Sequence, residues 1–244
     1  MGQRPQDSNG DFSHLEARRA YLELRFLSLN ACIARMGATQ VLDLATGVAP
    51  RGLVLSEDPS VLVIETDLPE MIAEKQAIVA SLLPFAARPD YRRHAANALH
   101  NDELWDAAGW FGREPLTIVH EGLLMYFDEV ERAQLAANVR SLLTFYGGAW
   151  ITTDVATRDH WRHFYGSDGG GPLGAMSTAT GCEIMQNAFV GWDEAQAFFG
   201  DEGFTCERLR QADLVPEMRG RVSTPEALER VESGSIWVMR LRAN

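Results

Sequence analysis

Four apolar runs set the limits on what this chain can fold into. QVLDLA (from Gln40), SVLVIE (Ser60–Glu65), PLTIVHEG (from Pro115) and GGAWITTDV (from Gly147) read as strands that are apolar toward both sides. Strands of that kind are buried on both faces, and strands separated by helical segments form a parallel sheet with helices on either face. DYRRHAANA (from Asp90) is a more polar strand between the second and third of these runs. Helical patterns fill the gaps. Ser13-His14-Leu15-Glu16 reads as a capping box, followed by Leu22, Phe26, Leu29 and Ile33 at helical spacing and by Gly37 as a stop. Pro69 sits in the first turn of a helix whose apolar face is Met71, Ile72, Ile78, Val79, Leu82 and Leu83. NDELWDAAGWF is a short helix, and Asp128-Glu129-Val130-Glu131 caps a longer one that runs to Tyr146. WDEAQAFFGDEGF gives a helix, Gly203 and a strand; TPEALERVE has Thr224 as N-cap and Pro225 in the first position; SIWVMRLR is an alternating last strand, expected to lie antiparallel. From Ala156 to Val190 the periodicity is lost, and the glycine-dense GSDGGGPLGAMSTATG is expected to form a lid or substrate insertion over 156–190. No repeat or linker divides the chain, so a single domain over 1–244 is expected, with an N-terminal helical segment over 1–38.

Charge narrows the partners. Twenty-two basic against thirty-four acidic residues leave a net charge of −12, with no stripe of Lys or Arg, which speaks against nucleic acid and against an anionic membrane surface. Cys32, Cys182 and Cys206 are scattered without a C-x-x-C pair, as expected of reduced thiols in a cytoplasmic protein, and MGQRPQDSNGDFSH has no apolar signal segment. The oligomeric state stays open.

In an open parallel sheet, ligands bind beyond the carboxyl ends of the strands. Gly47 follows the first strand; Glu65 and Asp67 end the second; Asn97 and Ala98 follow the third; His120 and Glu121 end the fourth. Twenty residues separate Gly47 from Asp67, the interval at which a carboxylate reaches both hydroxyls of a ribose lying over the first turn. Alternation points Glu65 to the same side as Asp67, so spacing alone does not choose between them; the position of Asp67 at the strand-to-helix turn favours it. Asn97 and Ala98 suit an adenine edge. The loop ATGVAPRG has one glycine, where a pyrophosphate needs several glycines and a helix N-terminus. That argues against NAD and for a cofactor with an adenosine and no phosphates, S-adenosylmethionine. Asp43 is expected to order this loop, and Arg51 is as fit to be an ion-pair partner as a ligand group.

VLDLATGVAPRG, VIETDLPEMIAEK and LTIVHEGLLMYF together resemble the L-x-x-G-x-x-x-R, E-x-D-x-P…K and E-G-x-L-x-Y segments of the leucine carboxyl methyltransferase-like family, which includes bacterial polyketide O-methyltransferases; RRAYLELR resembles its arginine-bearing first helix. The resemblance spans Arg18 to Phe127. It implies a Rossmann-like class I methyltransferase with a largely parallel seven-stranded sheet and an antiparallel last strand. It further implies that Gly47 underlies the methionine part of the cofactor, that Arg19 (with Arg18 and Arg25 as competitors) meets the cofactor carboxylate, and that Asp67 holds the ribose. Asn97 and Ala98 would face the adenine and Glu121 the amino group, with Ala45 and Leu68 completing the cofactor-binding set. Ala45-Thr46 and Asn97 depart from the commoner residues at their positions. The implied activity is O-methylation of a carboxyl or phenolic hydroxyl on a small molecule, a polyketide or other aromatic metabolite, with S-adenosylhomocysteine as product; a protein C-terminus is also permitted.

Methyl transfer is an in-line displacement whose main demand on the protein is positioning and exclusion of water. A carboxylate acceptor needs no base, whereas a phenol is helped by one, for which Tyr126 and His160 are the candidates. His160 and His163 lie three residues apart without accompanying cysteines, so a zinc site is not expected. No His–Asp pair is evident near the strand ends, which favours carboxyl methylation. The alternatives are a catalytically silent cofactor-binding module and an NAD-dependent oxidoreductase.

Overall fold

Strand β1 (Gln40–Leu44) lies between β2 (Leu62–Asp67) and β4 (Leu116–His120), with all three parallel and almost wholly buried. β3 (Tyr91–Ala95) pairs with β2, and β5 (Gly148–Thr152) with β4, again parallel. The last strand, β7 (Ser235–Leu241), runs antiparallel between β5 and β6 (Phe204–Arg210), so the order is β3-β2-β1-β4-β5-β7-β6. The expected sheet is therefore the observed one. The computed structural model describes residues 13–83, 88–165 and 171–243.

Alternation along the strands separates two cores. Leu42, Ile64, Ile118, Trp150 and Met239 face one side, under α4 (Asn101–Ala108), α5 (Glu129–Tyr146) and α9 (Trp192–Asp201). Val41, Val63, Val119, Ile151 and Val238 face the other, under α1 (Ser13–Arg35) and α3 (Pro69–Leu82). Trp150 is fully buried and meets Phe199 and Phe204 edge-on at 5.5 and 5.6 Å, the preferred aromatic geometry.

Helix ends follow local chemistry. α1 closes with left-handed Gly37, whose neighbour Ala38 donates back to the Ile33 carbonyl, as a glycine stop requires. Asp128 and Glu131 form the capping box of α5, each side chain accepting from the other's amide.

Two local expectations need correction, and a third meets an unexpected partner. The second strand runs to Asp67 rather than Glu65, because its ladder with β3 continues through Thr66–His94 and Asp67–Ala95. The buried face of α3 is Ile72, Lys75 and Val79, while Ile78 and Leu82 are exposed; an ion pair described below draws the lysine inward. The expected Ser13–Glu16 box falls partly outside the described residues, but the Glu16 carboxylate has a distant role. It accepts from Ser223 and Thr224 at the start of α11 (Pro225–Ser233), and the Ser13 side chain lies outside the described residues.

The aperiodic insertion is largely helical: α6 (Arg158–Tyr165), α7 (Gly171–Thr180) and α8 (Ile184–Asn187). Residues 166–170, the core of its glycine run, lie outside the described residues. The two ends of the insertion are joined by Phe189–Ala156 and Arg158–Phe189 backbone hydrogen bonds. Trp161, Ile184 and Ala188 pack there against Met125 and Tyr126, which follow β4. Among the described residues no helix is long and apolar enough to cross a membrane.

The Glu16 carboxylate ties α1 to α11, and its hydrogen bonds from Thr224 and Ser223 lower its pKa from an ordinary 4.5 to about 2. A depressed carboxylate contributes stability above its unfolded pKa and loses it as pH falls through the folded one. Thermal melts should therefore show Glu16→Gln less stable than the wild type at pH 7, with the gap closing between pH 4.5 and 2.

Candidate cofactor and acceptor site

The turn after β1 is held from below. Thr46 continues the ladder to the Thr66 carbonyl, and Ala45 and Gly47 both take left-handed backbone angles, φ 49° and 52°. For alanine that conformation costs roughly 1–2 kcal/mol, so the surroundings must impose it. Beneath the turn, Lys75 Nζ pairs with Glu65 Oε1 at 2.7 Å and donates to Thr46 Oγ1 and the Ala49 carbonyl. Glu65 also accepts from the Gly52 amide and the Tyr91 hydroxyl. A Cβ at Gly52 would run into the Glu65 carboxylate and the Tyr91 ring, so only glycine fits. Burial, and then the charge of Glu65, push the Tyr91 hydroxyl far up, so it stays protonated and donates. Glu65 is thus a fully buried support for the loop.

Asp67 faces the cleft instead. Its Oδ2 accepts from the Gly47 amide at 2.7 Å and its Oδ1 from the Leu68 amide at 2.8 Å. A carboxylate oxygen has two lone pairs, so each keeps one for a ribose hydroxyl. Val48 and Leu68 stand beside this bonded pair, 60% and 51% exposed, as apolar surfaces a purine could cover.

A second group lies where β1, β4 and β5 end. Arg51 Nη1 pairs with Asp43 Oδ2 at 3.2 Å and its Nη2 with Glu121 Oε2 at 2.6 Å. Burial pushes the Asp43 carboxyl up, and the charge of Arg51 opposes that. Arg25, from α1, approaches Glu121 Oε1 at 3.4 Å and pairs with Asp154 Oδ1 at 3.0 Å. Asp154 also accepts from the amides of Gly122, Leu123 and Leu124 and from His120 Nδ1 at 3.0 Å. Burial works against its ionisation, but the His120 hydrogen bond, the Arg25 charge and the Gly122 amide hold the carboxyl well below the usual range. A His–Asp pair does therefore stand at the strand ends, contrary to expectation. The residues are 34 apart in sequence and meet only through the β4–β5 register, where Thr152 lies opposite His120. His120 is fully buried, and its Nε2 has no hydrogen-bond partner.

The expected site residues divide accordingly. Ala45, Gly47, Asp67, Leu68 and Glu121 gather at adjoining strand ends. Arg19 is exposed on α1, and the inward arginine is Arg25. Asn97 is engaged in opening α4, its Oδ1 accepting from Leu99 and its amide donating to Glu103. Ala98 is buried, and its carbonyl accepts from Asn138 Nδ2. Tyr126 is half-buried; desolvation first, and then the charge of Asp154, raise its pKa. His160 packs elsewhere, between Trp161 and Trp192 at 6.2 and 6.4 Å, where burial, Arg230 and His163 lower it to about 4. Asp154 escaped the sequence reading, although its place at the end of the fifth strand was the available signal.

These residues fit S-adenosylmethionine. Asp67 offers acceptors for a diol, Val48 and Leu68 an apolar rest, and Glu121 with Arg25 an anion and a cation for an amino-acid end. A pyrophosphate would find only the five-residue α2 (Arg51–Leu55), whose first side chain turns inward.

The fold is the Rossmann-like one of class I methyltransferases. The model of the leucine carboxyl methyltransferase family matches residues 6–140, more than half of the chain, and the chain belongs to that family, whose methyl donor is S-adenosylmethionine. A Parafrankia sp. (strain EAN1pec) protein named "Putative S-adenosyl-L-methionine-dependent methyltransferase" is 30% identical over 146 residues, 57% of this chain and 46% of that protein. The chain thus spans about half the length of that relative. Among solved structures, magnesium protoporphyrin IX methyltransferase from Synechocystis PCC 6803 with bound SAH superposes with a TM-score of 0.53 at 15% identity, over 98% of this chain and 90% of that one. The methyltransferase domain of a bacterial Hen1 gives 0.58 at 13% identity, over 91% and 100%.

Lys75→Met would leave Glu65 buried without its cation, which costs about 3–5 kcal/mol. Urea unfolding should show that loss, and Glu65→Gln in the same chain should recover part of it.

Proposed function

We propose that this protein transfers a methyl group from S-adenosylmethionine to an oxygen of a small aromatic metabolite of polyketide type, with a carboxylate the favoured acceptor and a phenolic hydroxyl the second. When bound, the cofactor supplies a methyl carbon activated by its sulfonium. The observation that carries the reading is the meeting of two half-sites at adjoining strand ends: Gly47 bonded to Asp67, and Glu121 bonded to Arg51 beside Arg25. The first suits an adenosine, the second an α-amino acid. Asp67 binds, Ala45 and Gly47 shape the turn, and Arg25 rather than Arg19 is the cation we assign to the cofactor carboxylate.

Tyr126 connects this site to the insertion, because its hydroxyl feels the charges of Asp154 and Arg25 while its side chain packs against the cluster of Trp161, Ile184 and Ala188. A hydroxyl whose pKa is raised remains protonated at neutral pH. It therefore orients an acceptor oxygen by donating a hydrogen bond and does not remove a proton. That favours an acceptor already ionised, as a carboxylate is. His120 alters this little, since its ring is enclosed in the core. The polarizable Met125, Met176 and Met185 around Trp161 suit a flat apolar substrate of variable outline. On this reading the substrate is a small molecule of the cytoplasm.

Calorimetry should show binding of S-adenosylhomocysteine and none of NAD, with affinity reduced about tenfold or more in Asp67→Ala, a loss of roughly 1.4 kcal/mol. Turnover with a panel of aromatic acids and phenols then separates an enzyme from a silent binding module. Tyr126→Phe should lower kcat on the order of tenfold or more with cofactor affinity kept. If His160→Ala alone lowered kcat, the acceptor would instead lie in the cleft against Trp192.

A further inference from the structure

A cleft of about 440 Å³ opens between α6, the first residue of α9, β6 and the junction of α11 with β7. That is room for a small ring compound. Helix α6 stands between this cleft and Tyr126. Asp159, His160 and His163 line the cleft, whereas Trp161, about 100° further round the helix from His160, packs toward Met125 and Tyr126.

Three acids and two arginines are among the residues lining the cleft. The acids are engaged. Asp159 pairs with Arg162 at 3.2 Å, Glu229 lies 3.0 Å from His163 Nε2, and Glu232 pairs with Arg219 at 2.6 Å and with Arg210. Arg210 is spent on Glu232 in the same way, but Arg208 is not. Its guanidinium lies over the Trp192 ring, 4.5 Å from the centroid, and makes no hydrogen bond or ion pair among the described residues. Stacking uses the face of a guanidinium and leaves its N–H donors, which lie in the plane, unused. The indole also restrains the fork, so less freedom is lost when an acceptor binds.

The surroundings limit what that acceptor can be. A carboxylate matches the fork with two parallel hydrogen bonds. A second negative charge would meet Asp159, Glu229 and Glu232 in the same cleft, which disfavours a dicarboxylate or a phosphate dianion. The His160 ring offers an uncharged wall at neutral pH, because burial, and then Arg230 and His163, lower its pKa to about 4.

We propose that this cleft is a second ligand site, which takes a flat monocarboxylic acid of one or two rings and holds its carboxylate through Arg208. The site is separate from the acceptor position at Tyr126 and does not rest on the methyl-donor reading.

1-Naphthoate and 1-naphthamide have the same outline and differ in charge, so they serve as probes. In ligand-observed NMR titrations the wild type should bind naphthoate about tenfold or more tightly than naphthamide. Arg208→Gln should bring the two within about twofold of each other, with the dissociation constant for S-adenosylhomocysteine also kept within about twofold. Tyr126→Phe should leave naphthoate binding unchanged. If Arg208→Gln does not fold, Arg208→Lys keeps the charge without the fork and should weaken naphthoate about threefold or more, with naphthamide unaffected. A wild type that does not prefer the acid, or a preference that persists undiminished in the Arg208 variants, overturns the assignment. Loss of naphthoate in Tyr126→Phe also overturns it, by moving the carboxylate to the acceptor position. A wild type that binds naphthoate but not S-adenosylhomocysteine overturns the cofactor reading and leaves the second site in place.

Discussion

Five buried or nearly buried side chains of alternating sign run across the top of the sheet: Asp43, Arg51, Glu121, Arg25 and Asp154. Each charge costs several kcal/mol to remove from water, and only its neighbours of opposite sign offset that cost. The row therefore stands or falls together. It fixes α2 to β1 through Arg51, the turn after β4 through Glu121 and the amides on Asp154, and α1 to both through Arg25. The hydrophobic core sets the sheet, but these charges decide where the loops above it lie.

The two halves of the site rest on different supports. On the β1–β2 side, a single lysine–glutamate pair under the turn satisfies Thr46, Ala49 and Gly52 and forces Ala45 into its unusual conformation. On the β4–β5 side, a carboxylate ringed by donors does the equivalent for the turn after β4. Neither buried anion is positioned to be a ligand. Their less buried companions, Asp67 and Glu121, reach partial exposure at the strand ends, while Glu65 and Asp154 take on the architectural demand.

The sheet was readable because its parallel strands are apolar toward both faces, and Asp128, Pro69, Thr224 and Pro225 marked helix starts through local chemistry that needs no tertiary partner. What could not be read depends on distant contacts. Lys75 looks like a surface residue until Glu65, ten positions back, draws it in. Arg19 and Arg25 stand on one helix, and only the strand ends opposite distinguish them. The helices of the insertion gave no signal because their few apolar residues, such as Trp161 and Ile184, are buried against Met125 and Tyr126 rather than in the main core. His120 and Asp154 meet through strand register, to which composition is blind.

The docking of α1 also orders events in time. Its partners on one side come from the far end of the chain: Ser28 accepts from Gln211, Glu16 caps α11, and Glu23 pairs with Arg221. As a ribosome extends the chain, β1, β2 and Lys75 can assemble the turn that carries Gly47 and Asp67 before α11, which begins about 150 residues further on, is made. Arg25 precedes β1 in the chain, yet the helix that bears it completes its seat only after α10 (Gln211–Leu214) and α11 arrive. The nascent protein passes through a stage in which the Gly47–Asp67 turn is in place and Arg25 is not yet seated over the strand ends.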